Sequence, residues 1–251
     1  MKENFGNIDN FEEHNEVVSK TDLESDKEHD EKKAKENKAI FIARLEEEGL
    51  PEETLGIIDF AYDLSITAHS KQYRDSGEQY FEHLWAVGLI LIHECKILDP
   101  EMIIAALHHD AIEDTAIFGD RSTPFSHWKK KAEFRLGKVF NTETAKMVIT
   151  LTKPKADGGE IKDDKEAHDI YINNLKNTDD LRIILIKMAD RLHNLRTLQD
   201  TSPEKQCRIV KETEKVYFPL FARAENDYPE IVNYMLDEMK LAISTLDIER
   251  E

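Results

Sequence analysis

Little in this sequence is suited to crosslinks, tight turns or membranes. Two cysteines in 251 residues, Cys95 and Cys207, lie far apart, too few for a disulfide framework. Both read as small core residues in a reducing compartment. Nine glycines and seven prolines allow few chain reversals, which favours a helical protein. No apolar run approaches the roughly 20 residues that span a bilayer. The N-terminal MKENFGNIDN has no apolar signal region, so the expectation is a cytoplasmic protein with no membrane partner. Basic residues are also short: 34 Lys and Arg stand against 52 Asp and Glu, a formal charge of −18. Such a chain repels a nucleic-acid backbone. A small phosphorylated ligand is compatible with it, because one metal ion and a few cationic side chains reverse the field locally.

What the chain has is hydrophobic periodicity at helical spacing, while strand-like alternation is scarce. Residues 1–38 are polar, with 7 Lys against 12 Asp and Glu. They read as an acidic, flexible arm, with a helix beginning near Glu31. Residues 39–251 read as a single all-α domain. Gly49 and Pro51 punctuate its first helix. A helix over 52–70 has Ile57, Ala61, Leu64 and Ala68 on one face. Another starts near Tyr80. Asp99-Pro100 is an N-cap followed by proline at the first helical position, and one helix is expected to run from there through MIIAALHHDAIED. Residues 116–131 read as a loop, then come helices over 131–151, 165–176 and 179–199. Ser202-Pro203 and Tyr228-Pro229 start two more, the last with a stripe of Val232, Leu236, Met239 and Ile243.

Two distant strings carry chemistry. In HHDAIED, residues 108–114, His109 and Glu113 are four apart, as are Asp110 and Asp114, so each pair neighbours on a helix. Four ionisable groups at the end of an apolar segment are costly to bury without a partner, and a cation removes that cost. In KMADRLHN, residues 187–194, Asp190 sits inside an apolar stretch, with His193, Asn194 and Thr197 at offsets of 3, 4 and 7. For Asp190 alone, a salt bridge to Lys187 or Arg191 is an equally good reading. A third string, RDSGEQYFEH at 74–83, brings His83 to a helix start. Two imidazoles and two carboxylates from three segments suffice for one divalent cation. Mixed N and O ligands without thiolate suit Mn²⁺ or Fe²⁺ better than structural zinc.

Together the three strings resemble the HD-domain phosphohydrolases, and more closely the hydrolase domain of the RelA/SpoT-type enzymes that degrade (p)ppGpp. The matching residues are Arg74, Ser76, Gly77, Glu78, Tyr80 and His83; then His109-Asp110 with Glu113-Asp114; then Lys187 through Leu198. The resemblance covers about residues 55–200. It implies an HD-type helical bundle with a metal site between helices. His83, His109, Asp110 and Asp190 become the metal ligands, with Mn²⁺ as the usual ion. Glu113 and Asp114 position and deprotonate water, and Arg74, Ser76, Asn194 and Thr197 contact the nucleotide. Tyr80 and His193 are expected to pack or to orient ligands. The implied reaction is hydrolysis of the 3′-pyrophosphate. Another nucleotide substrate (an adenine alarmone or the phosphate of NADPH) and a non-catalytic nucleotide sensor are the competing readings.

The chain also departs from the family pattern. Asp75 replaces a basic residue, and His108 stands where leucine is usual. The segment between Thr115 and Thr150 is long. The basic ENxRK-like segment is replaced by HDIYINNL. Lys129, Lys130, Lys131, Lys153 and Lys155 are candidates to compensate from loops, although a cluster of this kind is more often a solvated face.

Overall fold

Helix caps decide where this chain bends. The computed structural model describes residues 20–247 except 120, 121 and 158, with side chains from residue 33 onward. The arm expected at 1–38 therefore lies outside the described residues up to 19. From Lys20 the backbone is helical, eleven residues before the expected start. Contacts divide the chain into residues 1–37 and 38–251, and the second unit carries everything that follows.

The helices are α1 (Lys20–Glu47), α2 (Glu52–His69), α3 (Tyr80–Leu89), α4 (Pro100–His108), α5 (Ala111–Asp114), α6 (Phe125–Val139), α7 (Thr142–Leu151), α8 (Asp164–Asn177), α9 (Leu181–Arg196), α10 (Pro203–Glu212), α11 (Phe218–Phe221) and α12 (Pro229–Ser244). Among the described residues there is no strand, only an isolated antiparallel bridge between Tyr73 and Gln79. No helix among them is long and apolar enough to cross a membrane. Cys95 is buried, Cys207 is half-buried, and both are free thiols.

Expected caps form. Asp99 accepts the Met102 amide at 3.1 Å at the start of α4, and Ser202 accepts the Lys205 amide at 3.3 Å at the start of α10. The single helix expected over 131–151 is two. Asn141 adopts an extended conformation and accepts the Thr144 amide at 2.8 Å, which ends α6 and starts α7. Replacing Asn141 with Ala is expected to cost about 1 kcal/mol, the usual worth of an N-cap, read as a lower urea midpoint at unchanged m-value.

The helix expected to run unbroken through residues 101–114 also breaks. Asp110 leaves the helix (φ −99°, ψ −4°), so α4 stops at His108 and α5 is one turn. Successive residues of a continuous helix project about 100° apart. The break instead lets His109 and Asp110 face the same point.

α9 is the axis of the unit. It buries Ile183, Ile184, Leu185, Ile186, Met188, Ala189, Leu192 and Leu195, a helix apolar on nearly all sides and hence a core helix. It packs against α12, α3, α4 and α7. α2 and α3 cover α4 on the other side. One apolar face is rotated from expectation. On α2 the buried face is Ile58, Ala61, Tyr62, Ser65 and His69, while Ile57 is exposed. On α12 the expected Val232, Met239 and Ile243 are buried, Leu236 packs partly buried against them, and Met235 joins the face.

Candidate metal centre and cleft

The loop before α3 turns tightly. Arg74 donates its amide to the Glu78 carbonyl at 2.8 Å, and Gly77 donates to the Arg74 carbonyl at 2.9 Å. Gly77 sits at φ +85°, a left-handed conformation that favours glycine. The turn aims the Arg74 guanidinium at α9, where it donates to Asn194 Oδ1 at 3.0 Å and Thr197 Oγ1 at 3.2 Å. Asp75, next to it, pairs with Lys205 of α10 at 2.5 Å, so its negative charge is matched across the mouth of the cleft.

His83, on the first turn of α3, is buried. Its Nε2 lies 3.2 Å from Asp190 Oδ1 and 3.8 Å from Asp110 Oδ2. His109 Nε2 lies 3.2 Å from Asp110 Oδ2 and 3.6 Å from Asp190 Oδ1. These separations are near the ~3 Å edge of an octahedron with ~2.2 Å bonds. Ligand atoms of His83, His109 and Asp110 all fall within 4.8 Å of one another. The structure thus brings the four expected ligands to one point, from α3, the α4–α5 break and α9.

Tautomers follow from the other ring nitrogens. His109 Nδ1 donates to the Ala106 carbonyl at 2.7 Å, which leaves Nε2 with a free lone pair. That Nε2 is buried, faces Asp110 and Asp190 oxygens at 3.2 and 3.6 Å, and makes no well-formed hydrogen bond to either, a costly arrangement that a cation between them removes. His83 Nδ1 lies 2.8 Å from His193 Nδ1. Burial, His83 and Arg74 push the His193 imidazole down to about 3, so His193 is neutral, and the approach of the Arg74 guanidinium to the same Nδ1 at 3.5 Å makes that nitrogen the acceptor from His83. Nδ1 contacts of this kind fix ring orientation around a metal. The donor set, with one orphaned imidazole lone pair, fits a divalent ion.

The field at the site favours positive charge. Burial works against a cation on His109, yet Asp110 and Asp190 together raise its basicity well above normal. Asp190 faces the same burial, but Lys187 and the two imidazoles hold its carboxyl well below the usual range. Lys187 Nζ meets Asp190 Oδ2 at 2.6 Å, and Asn194 Nδ2 donates to Oδ1 at 2.7 Å. The salt bridge read for Asp190 therefore exists alongside its approach to both histidines. Tyr80 donates its hydroxyl to Asp110 Oδ2 at 2.7 Å.

A cleft of about 440 Å³ opens beside these groups, a size suited to a small ligand. Arg74, Ser76, Asn194 and Thr197 all line it, as does Glu113. Glu113 accepts the Lys153 amide. Asp114 is exposed at the end of α5 and is not part of the lining, although its carboxylate lies near the hydroxyl of Tyr80, which is. The wall contains six cations, Arg74, Lys153, Lys187, Arg191, Lys205 and Arg208, matched by six carboxylates. In a chain of formal charge −18, a locally neutral cleft becomes positive on binding one divalent ion.

Sequence reasoning missed part of this wall. Lys187 lies over the rings of Tyr171 and Tyr217 at 5.4 and 5.7 Å, and Arg191 stacks on Tyr217 at 3.8 Å. His168 also lines the cleft. Of the five lysines considered as compensating cations, Lys153 lines the cleft, whereas Lys129, Lys130 and Lys131 lie on α6 outside it. His108 is buried between Phe118 and Phe140. Its Nδ1 donates to the Ile104 carbonyl at 3.1 Å, and burial pushes the ring down to about 4.

Residues 61–225 match the family model described as HD domain. Over 177 residues the chain is 38% identical to the bifunctional (p)ppGpp synthase/hydrolase SpoT of Escherichia coli (strain K12), covering 69% of this chain and 22% of that protein. Over 176 residues it is 38% identical to a GTP pyrophosphokinase of Myxococcus xanthus, covering 69% and 21%. A probable guanosine-3′,5′-bis(diphosphate) 3′-pyrophosphohydrolase of Synechocystis is 37% identical over 164 residues, covering 65% and 19%. The matched region spans about a fifth of these curated relatives.

Proposed function

Since the chain belongs to the HD-domain family, we propose that it is a metal-dependent phosphohydrolase releasing pyrophosphate from the 3′ position of (p)ppGpp, with GDP or GTP as the other product. The observation that carries this reading is the convergence of His83, His109, Asp110 and Asp190 beside Glu113 in one cleft. The names of relatives such as those of Escherichia coli and Synechocystis support the substrate.

The four ligands would hold one divalent ion; the absence of thiolate favours Mn²⁺ or Fe²⁺ over structural zinc, and Mn²⁺ is the usual ion of the enzymes the chain resembles. When bound, the ion supplies Lewis acidity, acidifying water and offsetting negative charge on a phosphate oxygen. The remaining work falls to side chains. Glu113, held by the Lys153 amide, takes a proton from the attacking water. Asp114, one residue on, assists from the outer side. Lys187 and Asn194 fix the Asp190 carboxylate, and His193 fixes His83. Arg74, Ser76, Asn194 and Thr197 orient base and sugar, the planar guanidinium stacking on the base. The other cations of the wall meet phosphate. Water adds at phosphorus, the P–O bond to the ribose 3′ oxygen breaks, and that oxygen leaves with a proton.

The test is a substrate screen of the purified protein with Mn²⁺. The expected result is pyrophosphate release from ppGpp or pppGpp. Orthophosphate release from NADPH, or turnover of an adenine alarmone alone, would move the substrate assignment. Absence of turnover with every nucleotide, in protein carrying stoichiometric metal, would overturn the hydrolase reading in favour of a nucleotide sensor.

A further inference from the structure

α6 is preceded at its N-cap by Pro124, which has no side-chain group to cap the helix. Its first amides need acceptors from elsewhere, and the segment between α7 and α8 supplies two carboxylates. Asp157 Oδ2 accepts the Phe125 amide at 3.1 Å. Glu160 accepts the Ser126 amide and the Ser126 hydroxyl, each at 2.7 Å. Asp157 Oδ1 also accepts the amides of Gly159 and Ile161, each at 2.9 Å. Negative charge at a helix N-terminus is favourable, and these bonds hold both carboxyls below their usual range.

The same segment touches the candidate base. It leaves α7 at Lys153, whose amide is donated to Glu113 Oε1. Pro154 and Ile161 are buried and anchor it from below, while Asp157 and Glu160 are exposed and hold it from above. Glu113 sits on a single helical turn, α5, which by itself is a weak support.

We propose that Asp157 and Glu160 are positioning residues: by clasping the N-terminus of α6 they fix the 153–163 segment, and through the Lys153 amide they fix the carboxylate of Glu113. This rests on the hydrolase reading for its kinetic consequence and on the hydrogen bonds alone for its structural one.

The test compares the full chain with Asp157→Ala/Glu160→Ala, with Asp157→Asn/Glu160→Gln, and with Glu113→Ala. Two properties are read: amide hydrogen exchange at Lys153, and steady-state pyrophosphate release from ppGpp. The alanine pair is expected to speed Lys153 exchange about tenfold. It should lower kcat by about ten- to hundredfold, the scale of a small misplacement of a reacting group, with KM and metal content within twofold of wild type. The amide pair keeps acceptor oxygens and is expected to restore most of both properties. Glu113→Ala should speed Lys153 exchange as well. Unchanged Lys153 exchange in the alanine pair, or in Glu113→Ala, would overturn the proposal. A wild-type protein that turns over no nucleotide would count against the hydrolase reading alone, since the exchange data decide the clasp independently.

Discussion

Glu113→Gln is expected to lower kcat by about 10²–10⁴-fold, the usual worth of a positioned acid–base group, while the protein keeps its fold and its metal. Gln has the shape of Glu and retains an oxygen able to accept the Lys153 amide that Glu113 accepts. What it lacks is a site for the proton of the attacking water. The Glu113 carboxylate is engaged by the Lys153 amide, whereas Asp190 meets both imidazoles, so the loss of Glu113 leaves the proposed coordination set intact. Stoichiometric Mn²⁺ with lost turnover is the expected pair of results, measured by metal analysis and pyrophosphate release. Turnover within tenfold of wild type would reject Glu113 as the base and move attention to Asp114.

His109→Ala is expected to abolish the metal dependence of thermal stability. In the wild type, a ligand that binds only the native state adds about 2.7 kcal/mol at a hundredfold excess over Kd. For a domain of this size that corresponds to about 5–10 °C in Tm. His109 contributes an Nε2 held toward Asp110 and Asp190 by its Nδ1 bond to Ala106. The scan should be run with EDTA and with excess Mn²⁺ for both proteins. The variant is expected to melt at the same temperature in both conditions. An equal Mn²⁺-dependent rise in the variant would contradict the coordination model.

The four proposed ligands were legible in the sequence because each lies in a short string with unusual company: an adjacent His-Asp pair, an aspartate inside an apolar helix, a histidine after a glycine turn. Their convergence was not legible from spacing. His109 and Asp110 share a target because the helix breaks between them, and a break of one residue leaves the surrounding periodicity almost untouched. The separation of Glu113 from Asp114 has the same origin, since a single turn presents only one of two adjacent carboxylates to the cleft. The rotated face of α2 shows a different failure. Ser65 and His69 are buried there, so a pattern read from apolar residues alone points one residue away. Ser65 meets this burial by donating to the Leu107 carbonyl at 2.6 Å, a bond no local pattern reveals. Asn141 did carry a visible signal, a capping side chain three residues before Thr144, in a stretch where continuity was assumed. The Lys187–Tyr171–Tyr217 wall depends on Tyr171 of α8 and Tyr217, which immediately precedes α11, reaching the same lysine of α9, and nothing local announces it.

Anomalous diffraction at the manganese edge, from crystals of the full chain grown with Mn²⁺, tests the site most directly. One peak is predicted, about 2.2 Å from His83 Nε2, His109 Nε2 and carboxylate oxygens of Asp110 and Asp190. A peak held by other residues, or no peak in Mn²⁺-saturated crystals, would contradict the account.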